Sequence, residues 1–175
     1  MRKFISTISF LILIAIAPAL CFAAVGTVAQ TYLNYPEFGI KKVIFTCIGS
    51  ATDGSIPNTD TSNTITAFIK GYYLYEVTAY PTSGGTAPDA DGADVFILDA
   101  NDLDLLGCED GSTTAYQGLN LIHATLPRSC IPDKYIPRAG LHQPFYPVMT
   151  GALTLKVANQ ATHSADYTIV LTFVR

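Results

Sequence analysis

The run from Tyr167 to Val174 constrains the fold more than any other stretch of this chain. Tyr167, Ile169, Leu171 and Phe173 alternate along it, the period of a β-strand. Val170 and Val174 fall on its opposite face, so both faces need cover. A strand of that kind belongs at the centre of a sheet inside a sandwich. Two further segments read as strands: Asp94-Val95-Phe96-Ile97-Leu98-Asp99 and Gly151-Ala152-Leu153-Thr154-Leu155-Lys156-Val157. Each precedes a polar turn and another apolar run. No helical stripe of useful length occurs after residue 24. The predicted class is all-β, a single antiparallel β-sandwich of jelly-roll or Ig-like type, with about seven to nine strands.

Residues 24–39 make an N-terminal arm, and residues 40–175 the sandwich domain. Ile40 to Ile48 is a strand with Val43, Phe45 and Cys47 on one face. Ala51 to Asn63 is a loop of turn-forming residues. Thr64 to Ile69 is a second strand, broken by Gly71. Tyr72 to Tyr80 is a third, with Tyr73, Tyr75, Val77 and Ala79 sharing a face. Pro81 to Gly92 is a turn region. Ala93 to Leu98 is a strand, Asn101 and Asp102 turn the chain, and Leu103, Leu105 and Leu106 return it to the core. Gly118 to Leu126 is a further apolar run. Residues 127–147 carry Pro127, Pro132, Pro137, Pro144 and Pro147. Proline cannot donate to a sheet ladder, so this stretch is expected to be an irregular excursion. Leu153 to Val157 and Tyr167 to Val174 close the domain around a polar loop, Ala158 to Asp166.

The N-terminus has the anatomy of a secretory signal. Arg2 and Lys3 precede an apolar run from Phe4 to Leu20, and Cys21-Phe22-Ala23 supplies a cleavage point after Ala23. Residues 1–23 are therefore read as a signal peptide. Residues 4–20 are the one membrane contact expected, and only if the segment stays uncleaved. Removing residues 1–23 takes away two basic residues and no acid, moving the net charge from −4 to −6. No basic footprint of a nucleic-acid binder is present. The expected location is exported, periplasmic or extracellular.

An exported chain meets an oxidising compartment. Cys47, Cys108 and Cys130 remain after cleavage, enough for one bridge. Cys108 and Cys130 bracket a loop-rich stretch and are the preferred disulfide. Cys47, alternating with Val43 and Phe45, is expected to be a buried free thiol.

Several segments together resemble a known family. They are Lys41-Lys42 opening a strand, Leu74-Tyr75-Glu76-Val77, Gly84-Gly85-Thr86-Ala87-Pro88-Asp89, the strand from Asp94 to Asp99, Asp104-Leu105-Leu106-Gly107, and Gly151 to Asn159 before a final apolar strand. In this order, over residues 40–175, the chain resembles the small β-sandwich proteins encoded among the virion structural genes of tailed bacteriophages and prophages. The resemblance implies a non-enzymatic virion component, a capsid decoration or accessory piece of the particle surface. Two features depart from that family: the signal peptide, since tailed phages assemble in the cytoplasm, and the long stretch at 127–147.

The chemistry-bearing residues are sparse. No nucleophile elbow, phosphate loop, dinucleotide fingerprint or zinc spacing occurs, and no catalytic residue, cofactor or metal site is expected. Asp89, Asp91 and Asp94 resemble a calcium loop without its glutamate, and are also what tight turns require. Asp99, Asp102 and Asp104 are expected at turns and on the surface. His123, His142 and His163 are scattered. The binding candidates are Arg128, Lys134, Tyr135, Arg138, His142, Phe145 and Tyr146, because aromatic residues and arginine are favoured at interfaces and long loops carry function. Tyr72, Tyr73 and Tyr75 are a second candidate, either packing or a platform for stacking a sugar. The partners expected are proteins, a second copy of the chain or a virion surface. The alternative is an exported bacterial module that recognises a glycan or a surface partner.

Overall fold

The computed structural model describes residues 25–86, 93–106, 128–136, 141–144 and 146–175. Its strands are β1 (Thr27–Tyr35), β2 (Ile40–Ile48), β3 (Thr59–Asp60), β4 (Tyr73–Pro81), β5 (Asp94–Leu98), β6 (Arg128–Cys130), β7 (Asp133–Ile136), β8 (Leu141–Pro144), β9 (Thr154–Ala158) and β10 (Asp166–Val174). One helix, α1 (Asn63–Ile69), lies between β3 and β4. The signal segment, Cys108, the run 118–126, Asp89, Asp91, His123, Arg138 and Phe145 fall outside the described residues.

The fold is mostly antiparallel β. A five-stranded sheet has the order β1-β2-β10-β4-β6, and a three-stranded sheet the order β3-β9-β5. β7 and β8 pair with each other as a separate hairpin. The two larger sheets contribute to one hydrophobic core, an arrangement consistent with a β-sandwich. β10 is the central strand, in register with β2 from Asp166↔Ile48 to Val174↔Ile40 and with β4 on its other side. Tyr167, Ile169, Leu171 and Phe173 are completely buried, as their alternation predicts, and Val170 is buried on the opposite face. Each apolar side chain so buried contributes roughly 1.5–3 kcal/mol relative to exposure. Opposite them the smaller sheet supplies Val95, Ile97, Leu155 and Val157.

Cys47 is buried in this core, as expected. Burial, with a smaller contribution from the Asp166 carboxylate, pushes its thiol up to about 12. The thiol therefore stays protonated at neutral pH and acts as a small apolar side chain.

The structure differs from the sequence expectations at several points. Residues 27–35 are not an arm outside the domain: β1 pairs with β2 over its whole length. Thr64 to Ile69 is helical, although its β-branched residues suit a strand. Ser62 caps α1 by accepting a hydrogen bond from Ile65 N at 3.3 Å, and Ile65 and Ile69, four apart, bury one face. The stretch 127–147 is not wholly irregular, since β6 joins β4 and β7 pairs with β8. Of its described prolines, Pro132 lies between β6 and β7, Pro144 is the last residue of β8, and Pro147 lies outside the strands. Asp104 is buried rather than on the surface, and Leu103 is exposed rather than in the core.

The face of β4 differs as well. Thr172 of β10 opposes Glu76 while Phe173 opposes Leu74, so Tyr75 is the extra residue of a β-bulge. The bulge switches the alternation. Leu74, Val77 and Ala79 point into the core, and Tyr73 and Tyr75 are exposed.

Candidate interaction surface

Two surface features stand out, and both arise from how the five-stranded sheet is built. The first lies at the sheet end that carries the β1–β2 turn and the last residues of β10. A short 3-10 turn, Pro36–Phe38, joins β1 to β2, and Gly39 adopts φ +63° to reverse the chain. This turn presents Phe38, which is 73% exposed. On the outer face the register places Tyr35, Ile40, Val174 and Tyr73 in one row across four strands. Val148 bridges Tyr73 through backbone pairing, and Tyr75 stacks on Tyr146 with ring centroids 5.6 Å apart and planes 13° from parallel. Tyr75 and Tyr146 are 41% and 39% exposed. The two binding candidates of the sequence, the tyrosine cluster and the 128–146 stretch, thus meet at this pair.

Tyr72 stands apart from that pair. It is packed against the core, and the Lys41 ammonium lies 3.8 Å from its ring centroid. Lys41 also lies 4.5 Å from the Phe68 centroid and donates to the Phe68 carbonyl. Tyr32 rests on Phe68 with centroids 4.6 Å apart. This cluster fastens the end of α1 to the inner face of β1 and β2.

The other described interface candidates lie on β6, β7 and β8. Arg128 opens β6 opposite Ala79 and is exposed. Lys134 and Tyr135 lie on β7 and His142 on β8, with Tyr135 opposite His142 in register. Cys130 is half-buried, its Sγ 3.2 Å from the Ile131 carbonyl.

The described acidic candidates make local contacts within the fold. Asp94 accepts from Asn159 Nδ2 at 2.7 Å. Asp99 accepts from the N–H groups of Asn101 and Leu103, which closes the turn and holds its carboxyl below the usual range despite some desolvation. Asp102 takes the left-handed conformation in that turn, at φ +61°. Asp104 Oδ1 accepts from Ile97 N at 3.1 Å and Leu106 N at 3.2 Å. Its Oδ2 is buried without a partner, and burial raises its pKa against the effect of those two bonds. Among the described residues, no three His, Cys, Asp or Glu side chains gather as a metal site.

The second feature is the edge formed by β1, which sequence reasoning missed. Gly49 N donates to Ala165 O, so odd-numbered residues of β2 direct their backbone groups toward β10. Even-numbered residues of β2 then serve β1, and the unbroken register gives them Thr27, Ala29, Thr31, Leu33 and Tyr35 as partners. The N–H and C=O groups of Val28, Gln30, Tyr32 and Asn34 therefore face outward. Among the described residues nothing pairs with them.

The other edges of the two larger sheets are defended by the usual means, namely shortness, charge or cover. β6 has three residues and carries Arg128, and β3 has two and carries Asp60. β5 carries Asp94, and its Ile97 edge groups are taken by Asp104 Oδ1 and Leu105 N. β1 has nine residues, with no charge, proline or bulge. The visible signal in the sequence was the run Thr27-Val28-Ala29-Gln30-Thr31-Tyr32-Leu33-Asn34-Tyr35, uncharged yet only weakly alternating.

In comparisons with protein-family models, curated protein sequences and solved structures, none matches this chain.

Proposed function

We propose that this chain is a non-enzymatic structural and interaction protein that self-associates, working as a phage-type virion accessory or surface-decoration component. Its scaffold in this proposal is a single β-sandwich of jelly-roll or Ig-like kind behind an N-terminal signal or anchor segment. The observation that carries the self-association is β1, a long edge strand that among the described residues shows none of the devices that keep edges apart. The exposed aromatic row at one end of the same sheet adds an apolar contact area of the kind that marks protein interfaces. The virion role rests on the resemblance of residues 40–175 and on nothing else. The partners are further copies of the chain and a particle surface, with no cofactor.

Intact-mass measurement with light scattering on the native protein tests this. The expected result is a chain cleaved after Ala23 that scatters as a defined oligomer. A monomer at all accessible concentrations would remove the self-association and leave the virion role without physical support.

A second reading is favoured by one observation, the stacked and exposed Tyr75–Tyr146 pair. Paired aromatic rings offer apolar faces edged with hydroxyls, which suits the alternating C–H and O–H surfaces of a sugar. On that reading the protein is an exported binding module for a glycan or a surface partner.

A further inference from the structure

We infer that two copies of this chain join through β1, strand against antiparallel strand, about a two-fold axis at Thr31. This rests on the self-association proposed above and names its surface. The occupant is a second copy because β1 is complementary to itself. An antiparallel partner must offer outward backbone groups opposite outward backbone groups. Centring the axis on Thr31 sets Val28 opposite Asn34 and Gln30 opposite Tyr32. These are the four residues whose N–H and C=O face away from β2. Each pairing is made twice across the axis, so the centring satisfies all four residues on both copies.

The side chains agree with this register. On the outer face Leu33 meets Ala29 and Tyr35 meets Thr27, a large residue against a small one each time. Thr31 meets Thr31, a pairing of β-branched side chains that sheets favour. No charge lies on β1, so the two-fold axis opposes no like charges. A partner recognised by charge would find nothing on this strand to read. Pairing is helped where β1 is anchored to the rest of the domain, as Gln30 and Tyr32 are. Gln30 Nε2 donates to Asp60 O at 2.7 Å, and Gln30 Oε1 accepts from Ser62 N at 3.1 Å. Tyr32 is fastened through Phe68. The strand is thus presented already ordered, which removes much of the entropic cost of association. The result is one continuous sheet running through two copies, closed by symmetry.

The test is charge exchange at Thr31 in the full chain. T31K sets lysine against lysine across the axis, and T31E sets glutamate against glutamate. Each substitution is on an exposed edge, so melting of the monomer should be unchanged. Each alone should weaken the dimer by about tenfold or more, read by sedimentation. Mixing the two should restore a heterodimer. In parallel, Thr31→Cys should form a disulfide-linked dimer on oxidation, because directly opposed residues in a non-hydrogen-bonded pair stand about 4.5 Å apart at Cα. Thr27→Cys, which faces Tyr35, should not. An oligomer that T31K and T31E leave intact would overturn β1 pairing while self-association stands. A wild-type chain that never associates would overturn both.

Discussion

Asp104 shows how much one buried carboxylate can carry. Its Oδ1 holds two backbone N–H groups, Ile97 and Leu106, and so ties the turn after β5 back onto that strand. Its Oδ2 has no partner. Asp104→Ala leaves two buried donors unsatisfied and should cost about 1–3 kcal/mol in denaturant unfolding. Asp104→Asn keeps an acceptor and removes the buried charge, so its cost should be smaller at neutral pH. The pH dependence has a definite sign. Burial raises the folded pKa above the unfolded one. In that interval the folded state holds more protons, so stability falls as pH rises through the folded pKa. The wild type should therefore lose stability across that window on going from acid toward neutral, and Asp104→Asn should lose less. An identical pH profile for the two proteins would show that the carboxylate is not the group responsible. The sequence offers no means of telling Asp104 from Asp99 and Asp102: all three stand near one turn, and only tertiary packing buries one of them.

At the level of elements, α1 and β4 show where local patterns mislead. The β-branched residues Thr64, Ile65, Thr66 and Ile69 favour a strand by propensity. Ser62 and the four-residue spacing of Ile65 and Ile69 select a helix instead, since the cap supplies a free N–H with an acceptor and the spacing buries one face. Ser62→Ala should then destabilise the protein by about 1 kcal/mol, measurable as a lowered denaturation midpoint with unchanged slope. In β4 the strand itself was legible, and its face assignment was not. Alternation carries a face only while the register is unbroken. The bulge at Tyr75 breaks it, and turns Tyr73 and Tyr75 outward to meet Tyr146.

On the scale of the whole molecule, one sheet carries both candidate surfaces, the β1 edge and the aromatic end. They make separable predictions. Tyr75→Ala and Tyr146→Ala remove exposed rings, so each should change stability by less than about 1 kcal/mol. If the aromatic end is the binding site, each should abolish capture on a glycan array or by the surface partner while leaving oligomer mass unchanged. Retained capture in both variants would exclude this end as the binding site.

That the chain is mostly antiparallel β was readable from the sequence alone, because it follows from periodicity. The central position of β10, the inward face of β2 with its buried Cys47, and the strand at β5 all follow from residues two apart in the chain. So does the turn at Asp99 to Asp102, whose chemistry is local. What only the tertiary structure decided is whatever depends on a neighbour distant in sequence. β1 became an edge strand through its nine-residue register with β2. Its outward backbone groups follow from a hydrogen bond between Gly49 and Ala165, more than a hundred residues apart. The meeting of Tyr75 with Tyr146 needed a bulge opposite β10. Side-chain alternation encodes which face is buried, but not which strand lies beside which, and it is strand order that determines an edge.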